Sequence, residues 1–122
     1  MTGAGLTRRE RISGDARFDR LRREGARAGD DVLFVRALVN ELGLVRLGLA
    51  VGRQSGNAVR RARLRRVIRE AFRLNKGRLP AGLDLLVSPR SGAADAKPAA
   101  LGRSLAELSA RVAGKLKETG LK

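Results

Sequence analysis

The sequence contains no cysteine, histidine, tryptophan or tyrosine. Without Cys and His there is no thiolate or imidazole ligand set, so zinc fingers and similar metal sites are excluded. Ser-His triads and cysteine nucleophiles are excluded with them. Chemistry carried by the protein would fall to carboxylates, lysine or serine. Asp and Glu total only 12 and are scattered without paired spacing, which leaves no catalytic residue to nominate. No apolar run approaches the ~20 residues of a membrane span. Phe18, Phe34 and Phe72 are the only aromatics, too few to anchor an interfacial helix. The segment MTGAGLTRRERI lacks the apolar core of a secretory signal. The absence of Cys fits a reducing compartment. The expectation is a cytoplasmic protein with no membrane and no small-molecule partner.

What is abundant is positive charge. Lys and Arg number 27, mostly Arg, for a net charge of +15 and a pI near 11.8. Hydrophobic residues make up 43% of 122. That is enough for one compact domain, residues 1–122, with a modest core. A folded chain this basic implies a polyanionic partner.

The charge is concentrated in residues 52–73, GRQSGNAVRRARLRRVIREAFR. Arg53, Arg60, Arg61, Arg63, Arg65, Arg66, Arg69 and Arg73 stand there against Glu70 alone. Read as a helix from Ala58 to about Asn75, the stretch places Leu64, Val67, Ile68, Ala71 and Phe72 on one stripe. Arg65, Arg66, Arg69 and Arg73 fall opposite, with Ala62 among them. A merely solvated face would mix signs and pair Glu with Arg. This one is nearly all arginine, whose planar fork of donors matches phosphate bidentately. The eight arginines are therefore the candidate nucleic-acid-binding set.

Around this helix the pattern predicts an α+β domain. Residues 1–11 read as a flexible basic arm. Residues 15–24 form a first helix, with Ser13 and Asp15 as start signals and Gly25 as its C′ glycine. Residues 26–31 turn, with a brief strand. Residues 32–39 (VLFVRALV) read as a strand. Residues 45–51 alternate as a half-buried strand that pairs antiparallel with it. Gly56 and Asn57 prepare the arginine helix, Asn57 as its cap. LDLLV at 83–87 is a buried strand stopped by Pro89. Residues 90–103 read as an exposed linker. Ser104 and Glu107 make a capping box for a last helix ending near Glu118, closed by Gly120. The order is α-β-β-β-α-β-α, helices packed on a small sheet, with a βαβ crossover that carries the basic helix.

The run RLGLAVGRQSGNAVRRARLRRVIREAFR resembles the signature of the bacterial ribonuclease P protein family. Arg46–Val51 matches its strand, and Gly56, Asn57, Ala58 and Val59 match its GNAV without change. Arg61 and Arg63 match the flanks of an Arg-Asn-Arg centre. Arg65 and Arg66 match a basic pair, and Arg69 with Glu70 the pair after it. RFDRLRREG at 17–25, residues 79–87 and residues 104–116 resemble the first helix, last strand and last helix. The resemblance covers residues 6–118 and implies the fold of ribosomal protein S5 domain 2. Four departures stand out. Ala62 replaces the central Asn, and Gln54 a lysine. Arg22 replaces an aromatic one turn after Phe18, and the Tyr of the first long strand is missing.

The resemblance implies a protein subunit whose RNA partner is the catalyst. That RNA removes the 5′ leader of precursor tRNA, using Mg2+ held mainly by RNA. A cleft between the sheet and the first helix would hold the leader, with Phe18 and Phe34 as candidate leader-binding residues unless they are core. With few aromatics, that cleft should rely more on charge than on stacking. A structural RNA-binding protein of the ribosomal type shares the charge and size and is the alternative. A DNA regulator would mix Asn or Gln among the arginines for base readout. A protein-only nuclease lacks its acidic cluster.

Overall fold

The computed structural model describes residues 6–119. Residues 1–5 of the expected arm, and Gly120, lie outside the described residues. Three helices pack on a four-stranded mixed sheet. Helix α1 (Asp15–Glu24) is followed by β1 (Ala26–Gly29), β2 (Leu33–Val39) and β3 (Arg46–Leu49). Helix α2 (Ala58–Asn75), β4 (Leu83–Pro89) and α3 (Pro98–Thr119) complete the domain, in the order expected.

The sheet order is β1-β2-β4-β3. β4 pairs antiparallel with β2 and parallel with β3, so β3-α2-β4 is the expected βαβ crossover. The expected antiparallel pairing of 32–39 with 45–51 is not found. β4 lies between them, because its first five residues are buried on both faces and only a central strand provides that.

The sheet separates two apolar layers of unequal size. Leu33, Val35 and Ala37 of β2 and Leu83, Leu85 and Val87 of β4 face α2 and α3. Leu64, Ile68, Ala71 and Phe72 of α2 meet them. The alternate residues Leu38 and Leu86 face α1, where they join Ile12, Leu21 and Phe18. Phe72 is fully buried and belongs to the core alone.

Four expectations are corrected. The linker expected at 90–103 is half helix: α3 begins at Pro98, a residue suited to a first helical position. Ala93 and Leu101 are buried and Gly102 packs against Asn75, where any Cβ would lie 2.6 Å from its Nδ2. Ser104 is accordingly no cap. It lies buried inside α3 and donates a hydrogen bond to the Asp30 carboxylate. The described part of the arm, residues 6–11, is anchored. Leu6 joins the core, Arg11 bridges to Leu47, and Glu10 accepts a bond from Lys76 at the end of α2. Gly25 has φ −61°, so left-handed backbone does not explain it. A Cβ there would lie 2.6 Å from the Leu21 carbonyl and 3.2 Å from the Ala37 amide.

The polar centre is Asp84 of β4, fully buried. Arg46 of β3 donates to both its oxygens at 2.7 Å, and Arg17 of α1 donates to Oδ2 at 2.7 Å. Asn40, just after β2, donates to Oδ1 at 2.9 Å. Four elements meet at one carboxylate. Burial pushes the Asp84 pKa up, but the bonds from Arg46, Asn40 and Arg17 more than reverse this and hold it below the usual range. The stability it contributes is therefore full above its unfolded pKa of ~4 and is lost as pH falls through the lower folded value. Asp84→Asn should cost about 3–5 kcal/mol in urea unfolding at neutral pH, since two arginines lose their counter-charge. It should also flatten the decline in stability below about pH 4. An unchanged acid limb would place the titrating groups elsewhere.

Candidate nucleic-acid interface

Helix α2 starts cleanly because Asn57 caps it, its Oδ1 accepting from the Arg60 amide at 2.9 Å. The expected apolar stripe is the buried face, with Val67 at its margin. That orientation decides where each arginine goes. Arg63, Arg66 and Arg69 are exposed, with Ala62 and Val59 on the same outward strip. Val59 is 79% exposed, so its apolar surface contributes nothing to the core.

Clefts lie on both flanks of this strip. Arg65 and Arg69 line a cleft of about 230 Å3 beside β3, shared with Arg11, Ile12, Phe18, Leu47 and Gly48. Arg60 lies on the opposite flank, in a cleft of about 560 Å3 with Asp30, Asp31, Ser55 and Arg90. Arg61 is half-buried and its Nε has no hydrogen-bond partner. Arg53 is exposed in the short 3-10 turn Arg53–Ser55 that precedes α2. Arg73 is different. It donates to both oxygens of Glu70, at 3.0 and 2.6 Å, and that pairing lowers the Glu70 pKa and raises that of Arg73. Among the described residues, the other seven arginines take part in no ion pair.

Phe18 and Phe34 reach the same face of the sheet, the one α1 partly covers. Phe18 is half-buried and lies on Gly48, where a Cβ would come within 2.8 Å of the ring. It therefore serves the small apolar layer and the cleft wall together. Phe34 is half-buried and carries two guanidinium groups, Arg36 at 4.7 Å and Arg90 at 5.2 Å from its centroid. Arg22 sits 5.9 Å from the Phe18 ring. The sequence reading did not nominate Arg11, Arg36 or Arg90. Arg36 was legible in principle, as the charged residue on the non-core side of the β2 alternation.

The arrangement is a basic surface with three parts: the outer strip of α2, the Arg65–Arg69 cleft beside β3, and the guanidinium groups around Phe34 on the sheet face that α1 partly covers. It offers guanidinium donors and two phenyl rings but no paired carboxylates. Among the described residues no group of three His, Cys, Asp or Glu could hold a metal ion. No described helix is long and apolar enough to cross a membrane.

Comparison with known proteins agrees with this geometry. The family model described as Ribonuclease P matches residues 6–113. The ribonuclease P protein component of Thermotoga maritima is 42% identical over 85 residues, which cover 70% of this chain and 73% of that protein. The component from Syntrophus aciditrophicus is 34% identical over 103 residues, 84% of this chain and 87% of that one. Among solved structures, the ribonuclease P protein of Thermotoga maritima superposes with a TM-score of 0.76 at 32% identity. It covers 84% of this chain and 96% of that one. The Staphylococcus aureus protein gives 0.71 at 30%, covering 85% and 94%. With the family model matched over most of its length and the fold shared with these solved structures, the chain belongs to the ribonuclease P protein family.

Proposed function

We propose that this protein binds the catalytic RNA of ribonuclease P through α2 and holds the 5′ leader of precursor tRNA in the trough beside α1. The observation that carries the reading is the set of seven unpaired arginines on and before α2, continuous with the cleft that contains Phe18. Bond cleavage belongs to the RNA in this reading. The protein aligns the substrate, and its fixed positive charge offsets phosphate repulsion where RNA and leader converge. In this reading magnesium is held mainly by RNA, as the family resemblance implies. Arg61, Arg63, Arg65, Arg66 and Arg69 contact the catalytic RNA, with Arg53 and Arg60 beside them. Arg73, held by Glu70, contributes less than the sequence alone implied.

Two measurements test this. Purified protein freed of RNA should leave precursor tRNA intact. Added to a bacterial ribonuclease P RNA, it should lower the magnesium concentration needed to remove the leader. Cleavage by the protein alone, or no change in the magnesium requirement, would overturn the reading.

The second measurement is a titration of the RNA subunit at several salt concentrations. Arg66 is exposed and unpaired, so Arg66→Ala should change stability by no more than about 0.5 kcal/mol. It should reduce the log–log salt slope of binding by roughly 0.7–0.9. Ala62→Asn adds no charge and should leave the slope unchanged, with affinity equal or better by about one neutral hydrogen bond, ~0.5–1.5 kcal/mol. An Arg66→Ala protein identical to wild type in affinity and slope would mean that this strip is only solvated.

A further inference from the structure

The flank of α2 that faces α3 carries a groove that neither the core nor the RNA-binding arginines account for. Its volume is about 500 Å3. One wall is Val67, Ala71 and Leu74 of α2, and the other is Pro98, Ala99 and Gly102 in the first turns of α3. Val67, Ala71 and Leu74 follow one another at spacings of four and three, a single stripe of a helix. Leu74 is 63% exposed, so packing inside the domain does not explain a leucine there. The groove keeps its shape because α2 and α3 meet closely at Gly102, where any Cβ would lie 2.6 Å from Asn75 Nδ2. Asn75 is itself fixed, donating to the Ala71 carbonyl at 2.8 Å. The rim is basic. Arg78 and Arg103 line it, are exposed, and take part in no ion pair among the described residues. The acid on the rim, Glu70, is neutralised by Arg73.

We propose that this groove is a docking site for an acidic protein segment, an amphipathic helix that lays aliphatic side chains along α2. From Val67 to Asn75 α2 rises ~12 Å, about two turns of such a helix, with anchors at i, i+3 or i+4, and i+7. Carboxylates beside the anchors meet Arg78 and Arg103, which no acid of this chain satisfies. The walls disfavour a nucleobase. Its ring nitrogens and exocyclic groups would lie against methyl and methylene groups, and none of the three phenylalanines lines the groove to stack on it. A second copy of the chain brings another +15 of net charge to a basic rim, and surfaces of like charge repel. An acidic segment with aliphatic anchors meets neither objection. The site uses none of the seven unpaired arginines, so it is separate from the RNA-binding function.

The test uses the full-length protein assembled with a bacterial ribonuclease P RNA, so that its RNA-binding surface is occupied. The probe is a fluorescein-labelled synthetic helix with leucines at i, i+4 and i+7 and glutamates flanking them. A second peptide replaces the leucines with alanine, and a third replaces the glutamates with glutamine. The leucine–glutamate peptide should bind wild type roughly tenfold more tightly than the alanine peptide. Leu74→Gln should abolish that preference and leave the thermal midpoint unchanged, because the side chain is exposed. Arg78→Met combined with Arg103→Met should weaken binding of the glutamate peptide roughly three- to tenfold and leave the glutamine peptide unaffected. Equal binding of the leucine and alanine peptides, or a Leu74→Gln protein that keeps the preference, would overturn the docking site. So would loss of the preference on assembly with RNA, which would mean that nucleotides fill the groove. Dimers of the free protein that Leu74→Gln dissociates, seen by sedimentation, would give the groove to a second copy and overturn it as well. All of these results leave the RNA-binding function standing.

Discussion

Asp84 is the interaction on which the working surface depends. It is a fully buried carboxylate on the central strand, and it takes bonds from α1, β3 and the end of β2. Helix α1 touches the sheet through only a few apolar side chains, chiefly Leu21 and Phe18 against Leu38 and Leu86. A small apolar layer fixes distance but not angle. The Arg17–Asp84 bond pins one end of α1, and Arg17 also donates to the Val39 carbonyl at 3.1 Å. With that end held down, Phe18 and Arg22 border the uncovered half of the sheet and the trough has a wall. A buried ion pair is weak grounds for net stability, because desolvation opposes it. Its role here is to specify one arrangement of four elements.

The protein treats its few acids accordingly. Asp84 is internal, Asp30 holds its own turn and Ser104, and Glu10 ties the N-terminal segment to Lys76. Glu24 and Asp19 pair locally with Arg20 and Arg22 on α1. Only Glu70 is placed on the arginine helix, and it quiets a single neighbour, Arg73. Among the described residues, the arginines of the outer strip of α2 therefore have no ion pair to offset their field. Under the proposed function, such a field would steer RNA toward the surface and make its binding steep in salt. The rings add little to this. One is half absorbed by the apolar layer and the other is covered by guanidinium groups, so the surface works chiefly by charge.

The elements read correctly from sequence are those whose signals are local. Helix α2 declares itself by the spacing of Leu64, Ile68, Ala71 and Phe72 and by the Asn57 cap. The first helix, the long strand and the crossover follow from similar patterns. What was missed is non-local. β4 inserts between β2 and β3 through contacts far apart in sequence, and a hairpin was the simpler reading of two adjacent strands. The role of Asp84 within LDLLV was not legible, because its partners Arg17, Asn40 and Arg46 are spread over three elements. The first turns of α3 are built from Ala, Gly and Leu101, and their burial is decided by the closeness of Asn75, which composition does not reveal. Phe18 and Phe34 could be placed near the cleft, but not the guanidinium groups stacked on them.

The most direct test of the central claim, that the outer strip of α2 lies on the catalytic RNA, exploits the lack of cysteine. A single Cys can be introduced at Ala62 on that strip, or at Ala110 on the exposed side of α3, and coupled to a tethered source of hydroxyl radicals. In the complex with a bacterial ribonuclease P RNA, the probe at position 62 should cut that RNA at a few defined places. The probe at position 110 should cut it weakly or not at all. Equal or stronger cutting from position 110 would contradict the account, because the RNA would then rest on α3 and not on the outer strip of α2.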